Sequence, residues 1–567
     1  MSKRNARILA STIGAACFAI LMATSPTLPM AWDEGNAIDR AEGIQRWFGR
    51  FGASWSEPFS KGAIEADWRY TTHVEGHPAL YGILIALGDS ISRRWLSPLT
   101  AARCAPMLLF SLAASAAAYR LCRTVSPVAA FVGVTAMVSL PRLFAHAHFA
   151  SFDGPLMSCW ILAWAIFEPA LCKAGWSVVW GAALGATMSC KFTGFLAPLP
   201  FMFWTIAFGG RKAARALAIG LPTAAATFYV LNPPLWHGPL AGMGAFFDLN
   251  LGRAERPDLN IPTTYFGARY DARTPLPWHN SLVWTAITVP VGTLSFFVLG
   301  LGRVLRNWRS RPEWLLLAGN WAILVVARAT PWAPPHDAER LFLPSFAFLA
   351  LLAGIGGDAI WGWGGAGGAL RRARRAGTNT RVGSSQPERR KLGCYAAAGR
   401  RCLARAAVVG ALTGAVTSSV WYAPQWLSYY NLLVGGLRGA DALGMEATYY
   451  WDGLDAEALG WLHEHTANDE RVLFGSPSLS NLNLMRRWDV LHVACLPGET
   501  GRYRWYIIQR RPSTWSKADR RLVTGGRPAF RKTIRRPDTG WGPWRLDVAI
   551  IEVYDFDRYM DAALSAE

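Results

Sequence analysis

The sequence predicts a mainly α protein. It reads as a polytopic bundle of about eleven membrane helices, with a large first outer loop and a small C-terminal extracytoplasmic α/β domain. Three observations predict this class. The 567 residues are 52% hydrophobic and only 17% charged, which excludes a disordered chain. Much of the apolar content lies in runs of roughly 16–22 residues, the length that spans a hydrocarbon core. The basic residues behind the net charge of +20 concentrate in short segments between those runs, as membrane topology asks. A charge of that size also suits nucleic acid, but its placement in inter-helix loops points to the bilayer, and no nucleic-acid partner is expected.

The candidate spans are 8–24, 102–119, 125–143, 155–171, 175–190, 193–208, 213–231, 282–302, 313–328, 341–361 and 404–422. Lys3, Arg4 and Arg7 place the N-terminus inside. An uncleaved first helix is preferred to a signal peptide. Residues 77–92 are apolar but short, and parity decides their status. If they do not cross, Arg120 and Arg123, Arg211 with Lys212, Arg303 to Arg311 and the stretch Arg371 to Arg405 all fall inside. If they cross, every one of those basic loops flips outward, against the positive-inside rule. Residues 77–92 therefore read as an interfacial helix within an outer loop, 25–101. The same count puts Asp33, Asp153, Lys191, the loops 232–280 and 331–340, and everything after about residue 423 on the outer face.

Two domains are expected, a membrane domain over 1–423 and an extracytoplasmic domain over 424–567. The Gly- and Arg-rich loop 363–403 reads as a flexible cytoplasmic linker that touches anionic lipid. In the tail, Leu454 to His465 has helical apolar spacing. Val472-Leu473-Phe474, Trp505 to Ile508 and Val548 to Val553 read as strands, with a helix over Ser516 to Val523.

The chemistry-bearing residues sit at helix mouths. Asp33-Glu34 follows the first apolar run, and Asp153 precedes another. Carboxylates there are costly unless solvated or in use; the competing account is helix N-capping. Lys191, Arg340 and Arg103 stand at outer helix ends, placed either to hold an anion or to snorkel to headgroups. His73, His77, His146, His148, His237 and His336 share the outer side. His146 and His148 with Asp153 would make a divalent-metal site, against a simpler role in hydrogen bonding. The nine cysteines form no metal-binding spacing. The loop 232–280, with Asn232-Pro233-Pro234-Leu235-Trp236, Thr264-Tyr265-Phe266 and Pro277-Trp278, would cover a lipid groove or grip a sugar, against the competing account of an interfacial aromatic belt.

The order of these segments resembles the GT-C superfamily of membrane glycosyltransferases, in particular the dolichyl-phosphate-mannose protein mannosyltransferases and the lipid A aminoarabinose transferases. The resemblance rests on Asp33-Glu34, Gly76-His77-Pro78-Ala79-Leu80, Asp153, Lys191-Phe192-Thr193-Gly194, Arg340-Leu341-Phe342-Leu343-Pro344, Leu427 to Asn431, Gly435-Gly436 and Glu446 to Trp451. It covers most of 8–452, and Ala79 departs from the family's second proline. It implies sugar transfer from a polyprenyl-phosphate donor to a hydroxyl of a protein, lipid or envelope glycan, at the outer face of a bacterial inner membrane. Asp33 is then the general base and Glu34 its catalytic partner, with Asp153, Arg340, Lys191, Arg103 and His77 binding substrate. No cofactor is implied firmly; a divalent metal is compatible, since relatives differ. A transporter or flippase would instead show mid-membrane charges and paired half-repeats. A non-enzymatic protein with an outer binding domain would leave the two acidic sites unexplained.

Overall fold

The computed structural model describes residues 1–68, 76–252, 256, 260–363, 387–535 and 542–566, with side chains from 398 onward in the segment that begins at 387. His73 and most of the basic linker, 364–386, lie outside the described residues. The remainder of the linker, from Pro387, is helical and runs unbroken into the last apolar segment, ending at Tyr422.

Among the described residues six helices are long and apolar enough to cross a bilayer: Lys3–Thr27, Pro98–Thr124, Asp153–Cys172, Phe192–Val230, Ala338–Trp361 and Ala398–Tyr422. A seventh is the pair Pro127–Val138 and Pro141–His148, bent by 74°. The difference from eleven has local causes. The runs expected at 193–208 and 213–231 fall in one helical stretch, interrupted at Gly210 with φ +55°. The run 282–302 is broken at Pro290, which holds Val289 extended between Asn280–Thr288 and Val291–Arg306. Ala174–Met188 and Pro312–Arg328 have 15 and 17 residues.

Leu80–Ser92 has 13 residues, about 20 Å at ~1.5 Å per residue, short of a ~30 Å hydrocarbon core. It packs along Pro98–Thr124 and Glu34–Arg50. The bundle core is held by close backbone approach. A Cβ on Gly356 would lie 1.9 Å from the carbonyl oxygen of Phe296, so Leu343–Trp361 and Val291–Arg306 meet only because a small residue stands there.

β1 (Thr263–Tyr265) and β2 (Ala268–Tyr270) pair as a small antiparallel hairpin within the loop 232–280, and the C-terminal region forms a four-stranded sheet. β3 (Glu470–Phe474), β4 (Arg502–Gln509), β5 (Phe530–Thr533) and β6 (Ala549–Asp555) lie in the order β3-β4-β6-β5. β3 and β4 are parallel and the other pairs antiparallel. The helix expected near 516–523 is Lys517–Gly525, started by a capping box between Ser516 and Asp519. β5 and the helices Leu479–Arg487 and Phe556–Leu564 were not expected from the sequence. Their apolar spacing is short and broken by charge.

The tail is keyed into the first loop. Asn481 accepts a hydrogen bond from the Gly35 amide (2.9 Å) and donates to the Ala31 carbonyl (2.8 Å). A Cβ on Gly35 would lie 2.3 Å from the Asn481 side chain, so the residue after the acidic pair has to be glycine for the contact to form. The Trp32 amide donates to the carbonyl of Tyr450 (2.8 Å).

Asp452, in this junction, is fully buried. Thr448 donates to one carboxylate oxygen, and the other has no partner. Burial raises its pKa from 3.8 to about 6 against the lowering by Thr448. A carboxyl raised in the folded state contributes stability below its unfolded value, and loses it as pH rises through about 6. Asp452→Asn is therefore expected to stabilise the protein by up to about 3 kcal/mol at pH 7.5 and by little at pH 4. Thermal melts of both proteins across that range in detergent check this; parallel pH profiles would count against it.

Candidate active site

The acidic pair divides its labour. Glu34 is fully buried. Its Oε1 accepts from Arg103 Nε (2.7 Å) and the Ala150 amide (2.8 Å), and its Oε2 from Arg103 Nη2 (2.6 Å) and the Ala31 amide (2.8 Å). Arg103, also fully buried, spends its other protons on the carbonyls of Ser25, Leu28 and Pro29. Neither residue lines the two cavities described below, and their hydrogen bonds go to each other and to backbone groups. The ion pair pins the first loop to the helix Pro98–Thr124.

Asp33 takes the opposite path. It stands at the N-cap position of Glu34–Arg50, yet its side chain makes no capping hydrogen bond. It accepts from Arg340 Nη2 and from the Tyr450 hydroxyl (2.9 Å). Burial raises the Tyr450 phenol well above its ordinary pKa, so it stays a proton donor to Asp33.

Asp153 opens the helix Asp153–Cys172, and it too is committed elsewhere than to a cap. It is fully buried between Lys191 Nζ (2.7 Å) and Arg340 Nε (2.7 Å). Arg340 is the hub of the group. One guanidinium contacts Asp33, Asp153 and Asp337, and lies 4.8 Å from the Tyr450 ring centroid and 5.1 Å from that of Phe152. Lys191 lies 4.7 Å over the same Phe152 ring, on which His77 stacks at 4.9 Å. Five of the seven residues singled out from the sequence, Asp33, Asp153, Lys191, Arg340 and His77, are thus brought together by long-range contacts. Neither cation snorkels, since both have carboxylate partners.

Sequence reasoning missed Asp337, Tyr450, Arg511 and Arg328. Asp337 sits at φ +57°, a left-handed conformation rare outside glycine, and links Arg340 to Arg511 Nη2 (3.2 Å). Burial alone would raise its carboxyl; Arg340, His336 and Arg511 outweigh that and hold it below the ordinary carboxylate range. Its signal was the i, i+3 spacing to Arg340. Arg328 ends the helix Pro312–Arg328, 3% exposed, and gives Nη2 to the Pro335 carbonyl (2.8 Å). Its Nε and Nη1 have no acceptor, a costly state for a buried cation. A lone arginine closing an apolar run was the available signal.

Arg328, Lys191 and Arg340 line a cleft of about 590 Å³, together with Arg40, Arg256 and His77. Leu324, Leu341, Phe192 and Trp332 supply apolar walls. The loop 232–280 contributes Asn250, Leu251, Arg256 and Ile261 to this lining. His146 and His148, weighed between a metal site and hydrogen bonding, make hydrogen bonds. His148 is engaged by Thr24 (2.8 Å) and the Phe144 carbonyl (2.8 Å), and His146 by Tyr449 (3.1 Å). No group of three His, Cys, Asp or Glu side chains among the described residues is arranged to hold a metal.

An apolar helical bundle thus carries a buried acid–base cluster that lines a cationic cleft. Residues 76–237 match the family model described as dolichyl-phosphate-mannose-protein mannosyltransferase. That match spans less than a third of the chain's 567 residues. No curated protein sequence matches it. Solved structures to which the chain is similar include ArnT from Cupriavidus metallidurans in the apo state, with 13% identity, 96% of this chain and 97% of that one covered, and a TM-score of 0.48. The same protein bound to undecaprenyl phosphate gives 13%, 96%, 97% and 0.44. The archaeal oligosaccharyltransferase AglB from Archaeoglobus fulgidus, in complex with an inhibitory peptide and a dolichol-phosphate, gives 12%, 88%, 69% and 0.44.

Proposed function

We propose that this enzyme transfers a sugar from a polyprenyl-phosphate donor to an acceptor hydroxyl, on the outer face of a bacterial inner membrane, with its N-terminus cytoplasmic. The observation that carries the reading is the composition of the 590 Å³ cleft around Asp33. Its apolar walls suit a prenyl tail, its cations suit a phosphate, and a carboxylate stands where the two meet. The matched family is itself described by a dolichyl-phosphate sugar donor.

In this reading Arg328 and Lys191 hold the phosphate and stabilise the charge it gains on leaving. Arg328 contributes the two N–H groups that lack acceptors. Asp33 accepts the proton of the acceptor hydroxyl, whose oxygen attacks the anomeric carbon. The bond from that carbon to the phosphate oxygen breaks, and its electron pair leaves with the phosphate. Arg340 and Tyr450 keep Asp33 aimed and ionised. Asp153 positions Lys191 and Arg340.

Arg328→Gln is expected to weaken binding of undecaprenyl phosphate roughly tenfold to a hundredfold, the worth of one or two charge-assisted hydrogen bonds. Native mass spectrometry or a fluorescent-lipid competition in detergent reads it; unchanged affinity would remove Arg328 from the phosphate site. The function itself is tested by sugar transfer with purified protein, mannose- and aminoarabinose-linked polyprenyl phosphates and an envelope extract, with and without chelator. A folded sample that consumes no lipid-linked donor would overturn it.

A further inference from the structure

Asp33, Asp337 and Arg340 also line a second cavity, of about 200 Å³, whose remaining walls come largely from the C-terminal region. We propose that this cavity is the acceptor subsite and that it takes a neutral sugar ring, so that the acceptor is a glycan. The proposal rests on the glycosyl-transfer reading above and names the acceptor within it.

The walls differ in kind from those of the cationic cleft. The guanidinium of Arg340 is committed to three carboxylates, and that of Arg511 to Asp337 and to the Tyr449 carbonyl (2.8 Å). Little positive charge is left to attract a phosphate. In its place stand the flat rings of Trp32, Trp451, Trp515 and Tyr506, with Gln509 and Asp519 between them. A pyranose presents an apolar C–H face and a rim of hydroxyls. It therefore asks for an aromatic plane beneath it and hydrogen-bonding groups at its edge.

Size and backbone point the same way. A volume of 200 Å³ lies below the ~300 Å³ at which drug-sized pockets begin, so one ring fits and a multi-chain lipid does not. An extended peptide binds best by adding to a free sheet edge. β4, which brings Tyr506, Ile508 and Gln509 to the cavity, is a central strand paired on both sides by β3 and β6, and offers no edge.

The cavity is also a place of backbone strain. Trp451 and Ser476 line it at φ +59° and +53°, and the Trp451 indole donates to the Ser476 carbonyl (3.1 Å). Non-glycine residues held in this region cluster where function fixes geometry. Between these walls Gly475 leaves the floor bare, since a Cβ there would stand 2.5 Å from the Tyr506 hydroxyl. A sugar hydroxyl entering from this side meets Asp33 while a donor fills the other cleft. The hydroxyl proton passes to Asp33, the new carbon–oxygen bond forms at the anomeric carbon, and the phosphate leaves with the electron pair of the broken bond.

The test uses the full chain in detergent and two readouts. Saturation-transfer NMR is run with methyl α-mannopyranoside, methyl β-glucopyranoside and a Ser/Thr-rich hexapeptide, and binding of undecaprenyl phosphate is followed by native mass spectrometry. At least one glycoside is expected to receive saturation from wild type, and at least fivefold less from Trp515→Ala, with lipid binding within twofold of wild type. Gln509→Leu, which removes a hydrogen-bonding group from the lining at similar size, carries the same expectation and serves if Trp515→Ala does not fold. Absent glycoside signal, or equal signal in wild type and both variants, while the lipid still binds, overturns the acceptor assignment and leaves the donor reading standing. Saturation of the hexapeptide alone, lost in the variants, overturns the glycan assignment in favour of a peptide acceptor. Glycoside binding lost in the variants, with no lipid binding by wild type, supports the sugar subsite and instead sinks the donor reading.

Discussion

Asp33→Asn is expected to lower turnover by about 10²–10⁴-fold, the range of a positioned general base, while donor affinity and melting temperature stay near wild type. The fold should survive because the hub does not depend on Asp33 alone. Arg340 keeps Asp153 and Asp337, and Tyr450 keeps an oxygen to donate to. An amide of the same shape fills the same space, but it cannot take the proton of the attacking hydroxyl. Asp33→Glu should also be impaired, because a longer side chain displaces the carboxylate from a point set by two partners, and small misplacements at a reacting centre are expensive. Sugar transfer and thermal melts on the same preparations are the measurements. Asp33→Asn with full activity would end the base assignment.

Glu34→Ala should fail for the opposite reason. It leaves Arg103 fully buried without its carboxylate, a loss of about 3–5 kcal/mol, and unties the Ala31 and Ala150 amides as well. The expected result is a large fall in melting temperature, or no folded protein in detergent extracts. The double variant Glu34→Gln with Arg103→Met removes both charges and should recover part of that stability, since an uncompensated charge costs more than the absence of the pair. Collapsed turnover with an unchanged melting temperature in Glu34→Ala would return this residue to the chemistry. The two neighbours in one dipeptide thus make a matched experiment, one residue proposed for the reaction and the other for holding the loop.

Much of the site was legible before folding because its residues occur where charge is expensive. Asp33, Asp153, Lys191 and Arg340 stand out as ionisable groups at the ends of apolar runs, and a parity count of basic loops put all four on one face. Partners with no such contrast stayed hidden. Tyr450 and Asp337 are ordinary residues in polar text, and Arg511 lies in a basic stretch of the tail. Arg328 closes an apolar run as snorkelling arginines do, and only its buried, unpaired N–H groups set it apart. The count of eleven spans went beyond the helices long enough to cross. Hydropathy runs do not register a break such as Pro290, or the merging of two runs into Phe192–Val230.

By itself the sequence determined the class of protein and the sidedness of its charges, because both follow from the cost of placing polar groups in hydrocarbon, which is a sum over local text. It also determined the α/β character of the tail, through periods of 3.6 and 2 that need no partner to be read. Tertiary structure alone decided how each of the two carboxylates is engaged. Asp33 and Glu34 are adjacent, equally acidic and equally placed along the chain. What separates them is that one side chain meets Arg103 and two amides in a closed pocket, while the other meets Arg340 and Tyr450 where two cavities join. Apart from the Ala31 amide, those partners stand from 69 to 417 positions away, and pairing at such separation is set by packing rather than by any local pattern of residues.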